Sequence, residues 1–389
     1  MSFKPLFAKS LGAAPGRLHF AAHSHHLWPD ASFEGQVQCW EDAARFADTK
    51  WDKVMDEVWP EAQGHVAAEL GGGDPTAIVF ASTTHDFLIR LVAACPRRAG
   101  GPLRVLMSDG EFHSARRQMG RWAESDEIQL TKIAAEPFDD FSSRFLDTAG
   151  AGEFDLILVS HVLFNSGRIF DGVAPLAALA RPEGPWVVID GYHAFMTIEA
   201  PIDAAVASSA FYLGGGYKYA MAGEGMGFMH CPAGFGARPP ITGWFAEFGE
   251  LTAPPGSEVG YTRDAMRFMG ATFDPSALYR FNAIQRMLIE NEITTGQVAA
   301  RVATLQGQMV EGGLAGTVLA DAELLNPPSE GSHARFLALR DSRAQRWCGD
   351  LMARGCVTDV RGDVLRIGFG LYHDEEDVDA FAALAKQLT

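Results

Sequence analysis

The chain has 389 residues, of which 47% are hydrophobic and 21% charged, with 41 glycines and 20 prolines. This profile is typical of a large globular α/β protein of about two or three lobes, which excludes a small single module, a fibrous chain and a disordered chain. Forty-nine acidic against 32 basic residues give a formal net charge of −17. Such a charge opposes binding to phosphate backbones and anionic lipid. We therefore expect neither a nucleic-acid partner nor a membrane partner.

The cysteines and the hydropathy pattern indicate a cytoplasmic protein. The five cysteines are scattered and include no C-x-x-C pair, so neither a disulfide framework nor a zinc site is expected. The first twenty residues lack a long apolar core, and no part of the chain reaches the roughly 18 unbroken apolar residues of a spanning helix. We expect a soluble protein in a reducing compartment.

Six short apolar runs between residues 77 and 230 predict buried strands. They are residues 77–81, 103–107, 154–160, 186–190, 209–213 and 225–229. Helix-like stretches lie between several of them, at residues 87–94, 113–124 and 173–181. This alternation predicts a mostly parallel sheet with right-handed crossovers. Ligands of such sheets bind at the carboxyl ends of the strands.

A second lobe is predicted after a Gly/Pro-rich passage at residues 231–260. Residues 275–312 have the apolar spacing of one or two long helices. Strands at 334–339 and 364–369 and helices at 342–354 and 375–388 continue an α+β pattern. We predict a large domain at residues 30–273 and a small domain made of residues 1–29 and 274–389.

Lys218 lies in unusual surroundings for a cation. It stands between two tyrosines, directly after a run of three glycines, in the segment LGGGYKYA at residues 213–220. Burial lowers the pKa of a lysine and makes its amine a nucleophile toward carbonyls, while glycines permit close approach to the backbone. The segment indicates an imine-forming lysine; a lysine that snorkels from a strand end is the alternative.

Three other segments carry groups that complement such a lysine. Asp190 ends a predicted strand, where a carboxylate could hold a protonated ring nitrogen, or else cap a loop. Thr83 and Asp86 have the spacing of a capping box at a helix start, which is also a phosphate-binding arrangement. Phe112 follows another strand and could lie flat on a cofactor ring or pack in the core. Together these groups predict pyridoxal phosphate (PLP) as cofactor.

Longer motifs occur in a consistent order along the chain. They are residues 160–167 (SHVLFNSG), 190–193 (DGYH), 216–219 (GYKY), 243–245 (GWF), 267–272 (RFMGAT) and 364–372 (VLRIGFGLY). In these motifs the chain resembles class V, fold-type I PLP-dependent enzymes, and most closely kynureninases. The resemblance implies the α/β fold of fold-type I PLP-dependent transferases, with a mostly parallel seven-stranded sheet in the large domain and a smaller α+β C-terminal domain. It also implies a homodimer with active sites at the subunit interface.

The resemblance assigns roles to individual residues. Lys218 would bond the cofactor and move protons, Asp190 would hold the pyridine nitrogen, and Tyr217 would reach the phosphate or assist proton transfer. The other implied cofactor contacts are Thr83 and Thr84 at the phosphate, Phe112 on the ring, His193 near Asp190, and Trp244 and Thr272 at the dimer interface.

The substrate is expected to be a small amino acid derivative. The resemblance implies that Arg366 grips its α-carboxylate as a fork, with His23 and Ser24 in the substrate pocket. The loop His23-Ser-His-His26 replaces the N-S-L-G of kynureninases, so recognition of the substrate side chain should differ. No acidic or cysteine partner accompanies these histidines at ligand spacing, so no metal is predicted.

The expected reaction is hydrolytic Cβ–Cγ cleavage of a kynurenine-like amino acid, giving alanine and a carboxylic acid. Other class V chemistry on the same scaffold is the alternative: transamination, β-elimination or desulfuration, or epimerisation. A noncatalytic binding protein with this fold is a third possibility, because a fold does not fix its chemistry.

Overall fold

The computed structural model describes residues 2–97, 101–250, 258–330 and 334–389, without the side chains of residues 248–250. The strands of the large domain and of the N-terminal segment are β1 (Leu18–His19), β2 (Ile78–Ala81), β3 (Leu103–Ser108), β4 (Ile128–Ile133), β5 (Leu156–Ser160), β6 (Trp186–Asp190), β7 (Phe211–Gly215) and β8 (Gly227–His230). The C-terminal strands are β9 (Glu323–Leu324), β10 (Phe336–Arg340), β11 (Cys356–Val357), β12 (Asp359–Arg361) and β13 (Val364–Gly368).

The helices surround these strands. Those before residue 210 are α1 (Ala8–Gly12), α2 (Asp30–Phe46), α3 (Lys50–Lys53), α4 (Trp59–Leu70), α5 (Thr84–Ala94), α6 (His113–Glu124), α7 (Phe141–Ala151), α8 (Val173–Ala177) and α9 (Ala204–Ala207). The later ones are α10 (Ser276–Glu290), α11 (Thr295–Gln308), α12 (Ala344–Ala353) and α13 (Glu375–Ala385). No helix among the described residues combines the length and the apolarity needed to cross a membrane.

The central sheet has seven strands in the order β2-β8-β7-β6-β5-β3-β4. All neighbours are parallel except β8, which runs antiparallel to both β2 and β7. The central strands β5 and β6 are buried almost throughout, as expected for a sheet covered on both faces. The predicted mostly parallel sheet of seven strands is confirmed.

Three local predictions differ from the structure. The edge strand β4 was not predicted, because only the first of its six residues is buried and its apolar residues form no continuous run. The helix predicted at residues 173–181 is only the single turn of α8. Strand β7 begins two residues later than predicted and includes two of the three glycines, so the chain reaches Lys218 directly after the strand.

A four-stranded antiparallel sheet, in the order β12-β13-β10-β9, forms the C-terminal lobe. The N-terminal strand β1 pairs with β11, and Ala21 forms a bridge with Gly368 in β13, so the first residues of the chain lie against this lobe. The region predicted as one or two helices contains α10 and α11, and Thr294 caps α11 in a capping box with Gln297. The domain boundaries at residues 29/30 and 273/274 stay a prediction.

The start of α5 is fixed from two sides. Thr83 and Asp86 form the predicted capping box: Thr83 Oγ1 accepts from the Asp86 N–H at 3.2 Å, and the Thr83 N–H donates to Asp86 Oδ2 at 3.1 Å. From β8, the backbone of Gly227 approaches so closely that a Cβ there would lie 2.5 Å from the Thr83 carbonyl carbon. The position of the first turn of α5 therefore depends on a glycine in the antiparallel strand.

We predict that Gly227→Ala destabilises the protein by about 1–3 kcal/mol, because the added methyl group meets backbone that cannot rotate away. Gly150→Ala in α7 is the matched control: no atom lies within 4 Å of its ideal Cβ, and alanine is the better helix former by up to about 1 kcal/mol. Urea unfolding of both variants measures the effect. Equal stability of the two variants would show that α5 moves freely against β8.

Candidate active site

A cavity of about 950 Å³ opens at the carboxyl ends of the central strands. Its floor includes Ser160 and Asp190, the last residues of β5 and β6, which are register partners. The first turn of α5, one face of α6, the loop after β7, the His23 loop, and residues of β12 and β13 complete the walls. Parallel strands place their carboxyl ends at a common edge, which is why residues distant in sequence converge here.

Lys218 lies inside this cavity and is only 9% exposed. Its Nζ hydrogen-bonds His193 Nε2 and lies 5.4 Å from the ring centre of Phe112 and 5.3 Å from that of Tyr192. Burial, reinforced by the positive charge of Arg366 and opposed by Asp190, lowers the pKa of Lys218 to about 7. A large fraction of this amine is therefore neutral near pH 7, which a nucleophile or base requires.

Asp190 supplies a carboxylate at the same edge. It accepts a hydrogen bond from the Tyr192 N–H at 3.0 Å. Loss of solvation raises its pKa, against the opposing effects of that hydrogen bond and of Lys218. Its predicted partner His193 lies closer to the reaction centre than expected, because His193 contacts the lysine amine itself.

A group of polar residues lies at the start of α5. Ser82, Thr83 and Thr84 line the cavity there, opposite Tyr217 and Gly225. The first N–H groups of a helix have no partner within the helix and attract anions. Gly225 has φ +97°, a conformation that favours glycine and lets the backbone approach the cavity. Thr83, Thr84 and Tyr217 thus line one cavity, and their phosphate-binding role stays a prediction.

Three histidines of the cavity carry buried ring nitrogens that lack a hydrogen-bond partner among the described residues. They are His23, His85 and His193, each through Nδ1. Burial, followed by nearby positive charge, lowers the pKa of His23 to about 3 and that of His193 well below its ordinary value. The His23 and His193 rings are therefore neutral, and the unpartnered nitrogens of the three histidines leave hydrogen-bonding capacity in the cavity wall.

Arg366 lines the cavity but is more constrained than predicted. Its Nε and Nη2 both donate to Asp359 Oδ1, and its Nη1 donates to the Phe164 carbonyl at 2.6 Å. Of the five guanidinium N–H groups three are thus engaged, which leaves two Nη hydrogens for a ligand. A wholly free fork is not present, and α-carboxylate binding by Arg366 stays a prediction.

Asp359 connects Arg366 to the predicted substrate loop. His23 Nε2 lies 3.8 Å from Asp359 Oδ1, and Arg361 Nη2 lies 3.1 Å from Asp359 Oδ2. Although burial opposes it, contacts with His23 and Arg366 hold the pKa of Asp359 below its ordinary value. His23 and Ser24 both line the cavity, as predicted, and His23 faces an acid–arginine cluster that the sequence did not reveal.

Two predicted cofactor residues lie outside this cavity. Trp244 is 40% exposed, and Thr272 is also exposed. Neither of them lines the cavity of its own chain. Their predicted role at a neighbouring subunit's cofactor stays a prediction.

Sequence reasoning missed Glu111, which does not line the cavity but binds Ser160 of its floor. It is 1% exposed and accepts hydrogen bonds from Ser108 Oγ and Ser160 Oγ, both at 2.5 Å, and from the Ser160 N–H at 3.2 Å. These bonds join β3 to β5 directly before Phe112. Its place next to Phe112 in the segment DGEFHS was the available signal, but burial of the acid depends on strand packing.

One face of α6 was also missed. Ser114, Arg117, Gln118 and Arg121 line the cavity at the spacing i, i+3, i+4, i+7 of a single helix face. The predicted helix at residues 113–124 was correct, so this face could have been read from the sequence once the helix was placed after a strand end.

Sequence comparison finds distant relatives over most of the chain. No family model matches the sequence. The chain is 26% identical to an isopenicillin N epimerase from Streptomyces clavuligerus over 339 residues, which cover 83% of this chain and 82% of the relative. It is 27% identical to an isopenicillin N epimerase from Amycolatopsis lactamdurans over 213 residues, 52% of each chain.

Solved structures share the fold at lower identity. A mutant of the cystine C–S lyase C-DES, with glycine covalently linked to its PLP cofactor, has a TM-score of 0.78 at 16% identity and covers 97% of this chain and 98% of its own. A cysteine desulfurase from Thermococcus onnurineus has a TM-score of 0.78 at 17% identity, and the match covers 100% of this chain and 98% of the desulfurase. The cysteine desulfurase CsdA from Escherichia coli has a TM-score of 0.77 at 16% identity, and the match covers 99% of this chain and 97% of CsdA.

These comparisons define the class of fold and test the resemblance to kynureninases. The chain has the α/β fold of fold-type I PLP-dependent enzymes, with the central sheet and the additional C-terminal antiparallel sheet. Neither of the two sequence relatives is a kynureninase. The particular similarity to kynureninases is therefore not supported, and the epimerase and desulfurase alternatives fit the comparisons better.

We predict that Glu111 makes stability decrease between about pH 4.5 and 7. Burial, with Asp190 contributing, raises the pKa of Glu111 to about 7, so the folded state binds a proton that the unfolded state has released in this interval. Unfolding free energy should then fall as pH rises, by up to about 3 kcal/mol. Glu111→Gln removes the titrating group and should flatten this dependence.

Denaturant unfolding of wild type and variant across this pH interval measures the difference. Glu124→Gln, which changes an exposed carboxylate on α6, is the control and should follow wild type. If the unfolding free energy of Glu111→Gln changed with pH in parallel with that of wild type, the protonation of Glu111 in the folded state would be contradicted.

Proposed function

We propose that the protein is a PLP-dependent enzyme that removes the α-proton of an amino acid, with epimerisation as its first candidate reaction. The observation that carries this proposal is the buried Lys218 amine, with its pKa lowered to about 7, at the carboxyl edge of a fold-type I sheet. A noncatalytic binding protein has no need for an amine desolvated in this way.

The residues of the cavity fit the cofactor. The capped start of α5 with Thr83 and Thr84 suits a phosphate, and Asp190 suits a protonated ring nitrogen. Phe112, 38% exposed, offers a ring face beside Lys218. The unpartnered His193 and His85 nitrogens would hydrogen-bond the bound group. Four independent elements of the chain thus supply complementary groups at one edge of the sheet.

The chemistry at the α-carbon divides between cofactor and protein. PLP, when bound, supplies an electron sink for the carbanion formed at the α-carbon. Lys218 Nζ takes the α-proton, and the neutral His193 ring accepts a hydrogen bond from that amine and orients its lone pair. Arg366 uses its remaining Nη hydrogens to orient the α-carboxylate. A second acid donates a proton to the opposite face of the same carbon, and Tyr217, which also lines the cavity, is the candidate for this role. Lys218 and this donor then exchange their protons with water, which completes epimerisation.

Cysteine desulfuration is the less favoured alternative. None of the five cysteines, all of which are described, lines the cavity. Burial raises the pKa values of Cys231 and Cys356 to about 12, which suppresses the thiolate that such chemistry requires. Cys348 lies on α12 and contacts Thr358.

Hydrolytic Cβ–Cγ cleavage is the second candidate. It depends on the resemblance of the motifs GYKY and GWF, at residues 216–219 and 243–245, to kynureninase motifs, which neither sequence relative supports. Cleavage would release alanine, whereas epimerisation releases no fragment, so the two reactions give different products from one incubation.

We also propose a cytoplasmic homodimer in which Trp244 and Thr272 reach the partner subunit's cofactor. Their exposure and their distance from the cavity of their own chain support this role. Sedimentation should give twice the chain mass, and Thr272→Ala should lower cofactor affinity without changing that mass.

We predict that covalent capture of PLP by the cofactor-free protein accelerates as pH rises through about 7. The neutral amine is the reactive form, and the lowered pKa of Lys218 places its appearance there, whereas an unperturbed lysine would react near its ordinary pKa of about 10.4. Stopped-flow absorbance measures the rate, and borohydride trapping with peptide mapping locates the bond. A midpoint near 10, or label elsewhere than on Lys218, would contradict the proposal.

Lys218→Ala should abolish trapping and lower α-proton exchange by several orders of magnitude, because no base remains at the α-carbon. Lys132→Ala, an exposed change on β4, serves as the control and should behave as wild type.

We predict deuterium incorporation at Cα together with inversion when amino acids are incubated with the protein in D₂O. Chiral chromatography and mass spectrometry detect the two events, and an alanine assay with L-kynurenine and 3-hydroxykynurenine detects cleavage. Alanine release without inversion of any substrate would reject epimerisation in favour of hydrolysis. Absence of exchange from every amino acid would reject α-proton chemistry.

A further inference from the structure

The cavity is strongly cationic in a protein of opposite overall charge. Its lining includes five basic residues, Lys218, Arg117, Arg121, Arg361 and Arg366, against two acids, Asp190 and Glu224. The chain as a whole has a net charge of −17. Lys218, Asp190 and Arg366 have tasks in the proposed reaction, whereas the arginines of α6 have none.

Two arginines of α6, Arg117 and Arg121, have few internal partners among the described residues. Among the described residues, Arg117 makes no ion pair or hydrogen bond through its side chain. Arg121 has one ion pair, at 3.8 Å to Glu124, in which both side chains are mostly exposed. An exposed pair of this kind contributes little to stability. These two guanidinium groups are therefore available to a ligand.

The arginines of α6 and of the C-terminal strands line one cavity and act on a common residue, His113. Burial, followed by the charges of Arg116, Arg361, Arg366 and Arg117, lowers the pKa of His113. His113 also lies 5.1 Å, ring centre to ring centre, from Phe164, whose carbonyl holds Arg366. Arg117 thus lines the same cavity as Arg361 of β12 and Arg366 of β13.

Arg117 and Arg121 lie at increasing distances along α6 from Phe112, which lies beside Lys218. Phe112 directly precedes α6, and at 1.5 Å per residue Arg117 lies about 8 Å and Arg121 about 14 Å along the helix axis from it. Pockets for small molecules span about 300–1,000 Å³, so the cavity of about 950 Å³ has room for an elongated ligand. A group bound by α6 would lie several bonds from the reacting carbon.

We propose that Arg117 and Arg121 form a subsite for a second anionic group, a carboxylate at the far end of an elongated amino-acid substrate. This inference rests on the proposed function and specifies its substrate class. Charge-assisted hydrogen bonds from guanidinium groups suit a carboxylate, and no anion of the described part of the chain pairs with Arg117, which leaves that position to the substrate. Arg361, with Nη2 on Asp359, adds positive potential from the opposite wall.

The test compares dicarboxylic amino acids of increasing chain length with their ω-amides. Calorimetry measures binding of the α-methyl derivatives, which lack an α-proton and cannot react, to the purified protein. Deuterium exchange at Cα of the parent amino acids is measured separately. Variants are Arg117→Gln and Arg121→Gln, with Arg116→Gln as a control that removes the same charge from the same helix outside the cavity lining.

We expect the longer diacids to bind more tightly than their amides. Each cavity variant should weaken diacid binding on the order of three- to tenfold and leave amide binding unchanged, and added salt should reduce the diacid preference. Equal loss for diacid and amide, no loss for either, or the same loss in Arg116→Gln would overturn the subsite.

The two proposals fail in different ways. Arginine-dependent diacid binding without exchange at Cα would contradict the proposed reaction and support the anion subsite. Exchange that proceeds equally with diacids and amides, with unaltered binding in the arginine variants, would contradict the subsite and support the reaction.

Discussion

The burial of one amine, Lys218 Nζ, is the constraint on which the site depends. An ammonium group costs several kcal/mol to desolvate, and the structure meets this cost by lowering the pKa to about 7. The neutral amine can then remain in contact with the neutral His193 ring and two aromatic faces. Nearby Asp190 opposes the shift, so the balance between the two groups sets the amine's protonation state.

The surrounding fold maintains this balance. Gly227 of the antiparallel strand β8 packs closely against the backbone at the start of α5. Glu111 joins β3 to β5 by accepting hydrogen bonds from a serine of each strand. These contacts fix the walls on either side of Lys218 without touching it. The reactive groups therefore lie on rigid strand ends, and the loops that carry them are short.

Charge is distributed at two scales in this molecule. The molecule as a whole has a net charge of −17, whereas the cavity concentrates arginines from α6, β12 and β13. Asp359 neutralises part of that charge by binding both Arg366 and Arg361. The uncompensated positive charge lies on Arg117 and Arg121 of α6, which line the same cavity.

The sequence by itself predicted most of the central sheet and the capping box of Thr83 and Asp86, because apolar runs and local caps depend on neighbours along the chain. The roles of Lys218 and Asp190 in binding the cofactor stay predictions. The sequence indicated neither the edge strand β4, whose pattern is half exposed, nor the antiparallel direction of β8. Only the tertiary structure decided the burial of Glu111, the engagement of Arg366 by Asp359, and the contact of His193 with Lys218. Those features arise where distant strand ends converge, and the pKa and hydrogen-bonding capacity of a side chain depend on what surrounds it there.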